Sequence, residues 1–304
     1  MSILVVGSVA FDTVFTPWGE GRNLLGGSAT HFSVAASFFT PVRLVAVVGD
    51  DFRDEHLAVL RAHNVDLEGL RRIRGGKTFR WSGRYAENLN DRETLDTQLN
   101  VFADFDPVLP PEWATTPVVF LANIDPDLQA RVLEQMSRPV LVAADTMNYW
   151  ISSKPEALRK TLAGVGLLFI NDSEIRQFTG RLNLVEAAES VREMGPDVVV
   201  VKRGEHGVLV FAGDDLFALP AYPLRGVVDP TGAGDAFAGG FLGYVGSRLD
   251  HWPPDWRKAT VLGSVLASFQ VEAFSLERIH RLTLREIRQR YAEFVTLTRF
   301  EEMD

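Results

Sequence analysis

The segment 227–237 contains the residues whose types and spacing are best suited to chemistry. It reads VVDPTGAGDAF, with glycines on both sides of Ala233 and an aspartate, Asp235, directly after them. Apolar residues recur after it at helical spacing, so the segment predicts a glycine loop that enters a helix. In such a loop, backbone N–H groups converge on one point and the helix N-terminus adds partial positive charge. The sequence therefore predicts a binding cradle for an anion.

Asp235 is predicted to lie at the mouth of this cradle, in the first helical turn. A carboxylate beside an anion cradle suits phosphoryl transfer, because N–H donors stabilise the charge on the moving group. The carboxylate can then accept the proton of the attacking hydroxyl. A bare G-x-G-D pattern is more often just a helix start with a favourably placed acidic residue. The longer string is needed to decide between the two.

That string, DPTGAGDAF, resembles the C-terminal signature of the ribokinase family, also called PfkB carbohydrate kinases, and the resemblance runs nearly end to end. It implies a ribokinase-like fold and a phosphotransferase that uses ATP and Mg²⁺ on an alcohol acceptor. It also implies a catalytic base at Asp235 and an anion hole at Gly232, Ala233 and Gly234. Asp229 would lie near a monovalent-cation site, with K⁺ as the ion to test.

A second glycine motif, GGSATH, covers residues 26–31 and leads into a predicted helix. A loop-to-helix junction explains it by itself, but it also resembles the family's N-terminal GG signature, which grips the acceptor. Asp12, after the first strand, resembles the family aspartate that binds two sugar hydroxyls, which one carboxylate can accept together. The predicted acceptor-binding residues are Asp12, Gly26, Gly27, Ser28 and His31. Ribokinase itself has lysine and asparagine where this chain has Ser28 and His31, so ribose is not implied.

The sequence NDSE at 171–174 follows a predicted strand and opens a predicted helix. Asn171 and Glu174 have the spacing of a helix capping box. The pattern also resembles the family's N-x-x-E motif, which helps to hold Mg²⁺, partly through water, and the phosphates. We expect both roles together, since oxygen ligands suit magnesium.

Residues 202–207, KRGEHG, follow another predicted strand. The family usually has a nucleotide-contacting loop here, so Gly204 and Gly207 are predicted to contact the nucleotide. Lys202 is predicted to offset phosphate charge, although solvated loop cations are common. The segment 264–274 resembles the later segment that lines the family's adenine pocket.

The elements that position these residues form an alternating pattern. Short apolar runs rich in β-branched residues predict strands buried on both faces, at 3–7, 42–48, 118–121, 140–143, 167–170 and 198–201. Between them, helical spacing predicts helices at 28–39, 54–62 and 155–163, and a C-terminal packing helix at 283–299. This alternation predicts a mostly parallel sheet with helices on both faces.

The region 77–102 breaks this pattern, because apolar and polar residues alternate as in a strand, pause at turn formers and alternate again. It predicts a β-hairpin, extended by a strand near residues 12–18. We predict one kinase domain over 1–304 with lid insertions at about 12–24 and 77–102. An edge extension of the main sheet is an equally good explanation of the hairpin.

Composition limits the possible partners and location. The chain has 304 residues, a net charge of −9 and no cysteine, which excludes disulfides and thiolate metal sites. The acidic balance gives no support to nucleic-acid binding. Neither a signal peptide nor an apolar run of membrane-spanning length is present, so we predict a cytoplasmic protein without a membrane partner. A homodimer through the lid follows only from the resemblance.

The sequence is compatible with three functions to different degrees. The kinase is favoured, with a neutral sugar as the first-choice acceptor and a nucleoside as the second. A dinucleotide-dependent oxidoreductase is disfavoured because residues 6–11 lack G-x-G-x-x-G spacing. A non-catalytic sugar or nucleoside sensor on the same scaffold is the remaining alternative.

Overall fold

The computed structural model describes residues 1–301 of the chain. Its strands form two sheets, one of ten strands and one of four. The strands are β1 (Ile3–Val6), β2 (Ala10–Thr16), β3 (Gly19–Gly26), β4 (Val42–Gly49), β5 (Val65–Asp66), β6 (Leu70–Ile73), β7 (Phe79–Tyr85), β8 (Arg92–Gln98), β9 (Val118–Leu121), β10 (Leu141–Asp145), β11 (Leu167–Asn171), β12 (Val198–Lys202), β13 (Val208–Ala212) and β14 (Asp215–Leu219). The helices are α1 (Ser28–Ala36), α2 (Asp54–Ala62), α3 (Pro126–Gln135), α4 (Asn148–Ser153), α5 (Pro155–Leu162), α6 (Asp172–Thr179), α7 (Leu184–Arg192), α8 (Ala233–Gly246), α9 (Trp256–Gln270) and α10 (Leu284–Thr298).

The large sheet has the order β14-β13-β12-β11-β10-β9-β1-β4-β5, with β6 also paired to β4. Its strands are parallel from β12 through β4, and only β13 and β14 add in antiparallel sense at one edge. All six strands predicted from the apolar runs are present in it. The prediction of a mostly parallel sheet is therefore confirmed.

Helices cover both faces of this sheet, as the alternation of side chains in β1 shows. Ile3 and Val5 belong to the core under α1, α8 and α9, whereas Leu4 and Val6 belong to the core under α3, α5 and α7. All four side chains have no exposed surface. A strand buried on both faces has no polar side, which is why these strands are continuous apolar runs.

Small residues in α8 let it pack closely against its neighbours. A Cβ atom on Gly239 would lie 2.5 Å from the carbonyl oxygen of Phe32 in α1. One on Gly240 would lie 2.8 Å from the carbonyl oxygen of Leu262 in α9. Only glycine allows backbones to approach this closely. This packing fixes the direction in which the N-terminus of α8 points.

The small sheet, defined here as β3-β2-β7-β8, is separate from the large one. The segment near 12–18 joins the hairpin as predicted, since β2 runs parallel to β7 and β7 pairs antiparallel with β8. The hairpin is thus not an edge extension of the main sheet. Its second arm is shorter than predicted, because residues 100–104 form a 3₁₀ helix. The alternation at 94–102 continues past the last strand residue, Gln98, and gives no signal for this change.

Two further boundaries differ from the prediction. α1 ends at Ala36 and turns follow, so the predicted helix to residue 39 is too long. The strands β5 and β6, which both pair with β4, and the pair β13–β14 come from segments that the sequence analysis did not assign. Within residues 1–301, no helix is both long enough and apolar enough to cross a membrane.

Candidate active site

Polar side chains from three neighbouring strands lie at one edge of the large sheet. Asp145 ends β10, Asn171 ends β11 and Lys202 ends β12. Because β10, β11 and β12 are parallel neighbours, their carboxyl ends meet at the same edge. Ligands of open α/β sheets bind at this edge. The N-terminus of α8 reaches the same place, since Gly234 lies against Lys202.

The loop before α8 is shaped as an anion cradle. Gly232 adopts a left-handed conformation with φ 78°, and no side chain caps the helix. A Cβ on Gly232 would lie 2.5 Å from the ring of His31, so this position also lacks space. The N–H of Ala233 bonds to Pro230 O. The N–H groups of Gly234 and Asp235 have no acceptor within the helix and are the donors of the cradle. The anion hole predicted at Gly232, Ala233 and Gly234 stays a prediction, and the free N–H groups of this loop extend to Asp235.

Asp235 lies in the first turn of α8, where its side chain is half-buried. Burial and, to a smaller extent, the neighbouring charge of Asp145 raise the pKa of its carboxyl to about 8. Lys202 acts in the opposite direction, and so does Arg92. A pKa near neutrality is the value that suits a general base at physiological pH.

Lys202 is the cation nearest to the cradle. Its Nζ lies 2.6 Å from Asp145 Oδ2, and both side chains are largely buried. A Cβ on Gly234 would lie only 3.2 Å from the same Nζ. The prediction that Lys202 offsets phosphate charge therefore fits its position. Asp145 was missed by the sequence analysis, and its only signal was a carboxylate directly after a predicted buried strand.

The side chain of Asp12 contacts the backbone of the N-terminal glycine motif. A Cβ on Gly26 would lie 1.9 Å from Asp12 Oδ2, so only glycine leaves room for this carboxylate. Burial raises the pKa of Asp12 to about 7, against a hydrogen bond from the backbone of Gly27. The charge of Asp12 also raises the pKa of Asp235. The acceptor motif and the cradle are therefore parts of one site.

Ser28 and His31 are both buried at this place. Ser28 Oγ lies 3.1 Å from Ser8 Oγ, which joins the start of α1 to the end of β1. His31 packs against Gly232, and burial lowers the pKa of its ring to about 4, so the imidazole is neutral. Contact of either side chain with an acceptor stays a prediction.

Asn171 and Glu174 form the predicted capping box of α6. Asn171 Oδ1 accepts the N–H of Glu174 at 2.8 Å, and Glu174 Oε2 accepts the N–H of Asn171 at 2.9 Å. Burial raises the pKa of Glu174 to about 7, partly offset by the charge of Lys202. The carboxylate is thus near the cradle, as the expected magnesium role requires.

Gly204 and Gly207 lie in the turn between β12 and β13. A Cβ on Gly207 would lie 2.0 Å from Leu219 O, so its position is explained by strand packing. Beside Gly204, Asn90 Nδ2 at the tip of the hairpin donates to Glu205 at 2.9 Å. The hairpin tip therefore meets the turn predicted to contact the nucleotide. Contacts of the two glycines with a nucleotide stay predictions.

Two residues of the small sheet lie at the site although neither is among the predicted site residues. Tyr85 Oη lies 3.2 Å from Thr231 Oγ1, next to the cradle. Arg92, paired with Tyr85 across the hairpin, lowers by its charge the pKa values of Asp12, Glu174 and Asp235. The alternation of apolar and polar residues predicts the strands of this hairpin, but it carries no information on which residues the hairpin contacts.

Asp229 has no exposed surface and lies behind the cradle. Its Oδ1 accepts the N–H of Thr231 at 2.9 Å, and its Oδ2 accepts the N–H of Ser275 at 3.2 Å. Burial raises the pKa of this carboxyl. A cation near Asp229 stays a prediction of the resemblance.

The site contains more carboxyl groups than cations. Three carboxyls have pKa values raised to about 7 or 8, and only two cations, Lys202 and Arg92, act on them. Through residue 301, no three carboxylate or histidine side chains are arranged to hold a metal by themselves. Excess buried carboxylate next to an N–H cradle fits a metal ion that arrives with phosphate groups.

The fold and this arrangement define a ribokinase-like phosphotransferase. The chain belongs to the pfkB family of carbohydrate kinases, whose profile matches residues 2–278. A cytidine kinase of Thermococcus kodakarensis is 31% identical over 255 residues, which cover 82% of this chain and 90% of the relative. A nucleoside kinase of Methanothermobacter thermautotrophicus is 27% identical over 300 residues and 89% of each chain.

Solved structures agree on the fold. A Burkholderia thailandensis nucleoside kinase in complex with inosine has a TM-score of 0.79 at 20% identity, covering 97% of this chain and 98% of its own. An Escherichia coli protein described as a ribokinase II, in complex with ATP and Mg²⁺, has a TM-score of 0.78 at 18% identity, covering 96% and 99%. The predicted family, fold class and enzyme class are thus confirmed.

Proposed function

We propose that this protein is a nucleoside kinase that transfers the γ-phosphoryl group of ATP to a hydroxyl of the sugar, with Asp235 as the base. The observation that carries the proposal is the position of Asp235. It lies in the first turn of α8, beside free N–H donors, and close enough to Asp12 for the charge of Asp12 to raise its pKa. Transfer to an alcohol needs these groups together: donors for the phosphoryl oxygens, a base, and a group that holds the acceptor.

Asp235 acts by accepting the proton of the attacking hydroxyl. Its pKa of about 8 lies close to physiological pH, so the carboxylate is a stronger proton acceptor than an exposed aspartate. The N–H groups of Gly234 and Asp235 face the same pocket and stabilise charge on the moving group. Lys202, beside Gly234, adds a full positive charge at this place.

ATP arrives with Mg²⁺, which neutralises phosphate charge when bound. Glu174 and Asn171 are the residues that would hold the ion, partly through water. Their own capping bonds leave the second carboxylate oxygen, Glu174 Oε1, available. The raised pKa of Glu174 shows a carboxyl that lacks a sufficient counter-charge in the protein alone.

Asp12 holds the acceptor. A carboxylate can accept hydrogen bonds from two adjacent hydroxyls at once, which matches the vicinal diol of a ribose ring. Gly26 keeps a side chain away from this carboxylate, and the backbone of Gly27 donates to it. Gly26 and Gly27 therefore serve the acceptor by orienting Asp12.

The choice of a nucleoside over a neutral sugar rests on the relatives. The two sequence relatives described above are named as cytidine and nucleoside kinases, and each covers at least 82% of this chain. This reverses the order expected from the sequence, where a neutral sugar came first. A sugar stays the second candidate, because the family is defined by carbohydrate kinases.

The test is a coupled ADP-release assay with Mg·ATP and a panel of acceptors. The panel contains cytidine, uridine, adenosine, inosine, ribose and fructose, with Asp235→Asn as the background control. We expect the highest kcat/KM with a nucleoside, and a lower value with its 2′-deoxy analogue, because Asp12 loses one hydroxyl. A higher kcat/KM with a sugar than with every nucleoside would show that the acceptor is a sugar and not a nucleoside. Ligand binding without ADP release across the panel would favour the sensor and overturn the proposal.

A homodimer through the small sheet and a cytoplasmic location stay predictions. Strand β8 is exposed at every residue, and among residues 1–301 it pairs with β7 alone. Its other edge therefore offers unpaired backbone groups to a second copy. Light scattering of the purified chain, with and without Pro substitutions in β8, tests the dimer.

A further inference from the structure

Gln270, the last residue of α9, lies behind the anion cradle with no exposed surface. Its Nε2 donates to two backbone carbonyl oxygens, Ser275 O at 2.6 Å and Thr231 O at 3.3 Å. Thr231 directly precedes Gly232, where α8 begins. The Gln270 amide therefore joins the cradle loop to the segment that follows α9.

Asp229 binds the same two residues through their other backbone groups. Its carboxylate accepts the N–H of Thr231 and the N–H of Ser275. The carbonyl oxygens of Thr231 and Ser275 thus converge beside a fully buried carboxylate. Two carbonyl oxygens and a carboxylate oxygen are hard ligands of the kind that bind an alkali cation. Here a neutral amide with two N–H donors contacts both carbonyl groups instead.

The orientation of the Gln270 amide is fixed by this arrangement. Exchanging its nitrogen and oxygen would direct Oε1 at two carbonyl oxygens and leave both without a donor. On its other side, Oε1 lies close to the ring of His31 and raises the pKa of that ring against the larger effect of burial, although no well-formed hydrogen bond joins the two. The bonds to Thr231 and Ser275 are therefore the well-formed hydrogen bonds of the Gln270 side chain.

The consequence for catalysis passes through Thr231. The carbonyl of Thr231 is held by Gln270, its N–H by Asp229 and its hydroxyl by Tyr85. Gly232, the next residue, sets the direction of the N–H donors at the start of α8. A loose Thr231 carbonyl would let this loop move, and donors displaced by even a fraction of an ångström stabilise charge less well.

We propose that Gln270 is a positioning residue whose side-chain amide takes the place of a monovalent cation, so that phosphoryl transfer by this protein does not depend on K⁺. The inference rests on the proposed function, because it concerns the same cradle. It gives Gln270 a role behind the cradle, which differs from the adenine-pocket role that the resemblance implies for the segment 264–274. Removing the amide is expected to leave the carbonyl oxygens of Thr231 and Ser275 without a donor. Together with Asp229 they would then form a cation site.

The experiment compares the wild type with Gln270→Ala and Gln270→Met in the ADP-release assay. Each is assayed with K⁺, NH₄⁺, Na⁺ or N-methylglucamine chloride at constant ionic strength. We expect the wild-type rate to vary less than about twofold among the salts. Gln270→Ala should lose about tenfold or more in kcat with N-methylglucamine, the effect of one lost hydrogen bond, and recover most of it with K⁺ or NH₄⁺. Gln270→Met fills the space and should stay low in every salt.

Gln129→Ala is the matched control. Gln129 is also a buried amide whose Nε2 donates to carbonyl oxygens, those of Leu121, Ala122 and Asp145, but the neighbouring carboxylate, that of Asp145, is already paired with Lys202. This variant should lose stability without any response to K⁺. Thermal unfolding without ATP gives a second measurement, in which K⁺ should raise the melting temperature of Gln270→Ala and leave the wild type and Gln129→Ala unchanged.

Several results overturn the proposal. They are a wild-type rate that K⁺ raises more than threefold, a Gln270→Ala variant as active as the wild type without K⁺, and a weakened variant that no cation restores. The effect of K⁺ on the wild-type rate can be measured without any variant. It therefore tests the proposal even if Gln270→Ala does not fold. A wild type without kinase activity would count against the proposed function, and the melting temperatures would still test the cation site.

Discussion

Lys202 and Asp145 form an ion pair, with 2.6 Å between Nζ and Oδ2, beside the loop that leads to Asp235, the proposed base. The pair is almost closed to solvent, and Lys202 Nζ also faces the place where Gly234 lacks a side chain. One cation therefore balances a buried carboxylate and faces the phosphate position. This double role leads to a prediction that separates stability from nucleotide binding.

Lys202→Met should destabilise the fold and weaken ATP binding. Removing one partner of a buried ion pair leaves an uncompensated charge, at a cost of about 3 kcal/mol in unfolding free energy. The double variant Lys202→Met/Asp145→Asn should recover most of that stability while its KM for ATP stays high. Urea unfolding and steady-state kinetics measure the two effects. Recovery of the ATP affinity in the double variant would contradict a phosphate role for Lys202.

Asp235→Asn should lower kcat by about 10²–10⁴-fold, the usual contribution of a general base. It should not lower stability, because the substitution removes a carboxyl whose charged form is disfavoured by burial. ADP release and circular dichroism melting check both statements. Asp229→Asn serves as a comparison at a buried aspartate behind the loop. Retained turnover in Asp235→Asn would remove this residue from the role of base.

The stability of the protein should fall as the pH rises toward 8. The pKa values of Asp12 and Glu174 are raised to about 7 and that of Asp235 to about 8, above unfolded values near 4. The folded state thus binds more protons than the unfolded state between these limits, so unfolding free energy is lost as pH rises through the folded pKa values. Asp235→Asn should reduce the slope by up to about 1.4 kcal/mol per pH unit near pH 6. Urea midpoints from pH 5 to 8.5 measure it, and identical slopes would contradict the raised pKa.

Arg92→Gln should impair catalysis without affecting folding. Arg92 lies on the exposed strand β8, so unfolding free energy should change by less than about 0.5 kcal/mol. Its charge lowers the pKa of Asp235, so the pH profile of kcat/KM should shift to higher pH and kcat/KM should fall about tenfold at pH 7. Arg84→Gln is the matched control on the same hairpin, where the guanidinium lies over the Phe15 ring. Equal effects of the two substitutions would show that Arg92 has no special role.

Gly232→Ala should lower the unfolding free energy by more than its left-handed backbone conformation explains. Gly232 and Gly180 have similar φ values, 78° and 70°, but a Cβ at 232 would meet the His31 ring at 2.5 Å, whereas a Cβ at 180 meets nothing within 4 Å. Gly180→Ala should therefore cost about 1 kcal/mol from the left-handed backbone alone and keep full activity. Gly232→Ala should cost more and reduce kcat at least tenfold. Melting curves and ADP release measure both, and equal stability losses would show that His31 gives way.

The sequence by itself determined the scaffold and the centre of the site. Continuous apolar runs could only be strands buried on both faces, and their alternation with helical patterns required a parallel sheet. The DPTGAGDAF string indicated Asp235 and the cradle because glycine is needed wherever a loop adopts positive φ or meets another backbone. Such constraints act between residues close in sequence, so they are visible in one chain.

Tertiary structure decided which distant residues complete the site. Asp145, Arg92 and Gln270 are ordinary residues of a strand end, an exposed hairpin and a helix end, and nothing in their neighbours along the chain distinguishes them. Their roles come from charges and hydrogen bonds across the fold, such as that from Gln270 to Thr231 over 39 positions. The same holds for the raised pKa of Asp235, because burial and the charge of Asp145 act through space. A single sequence does not encode these distances locally, so only the folded chain shows them.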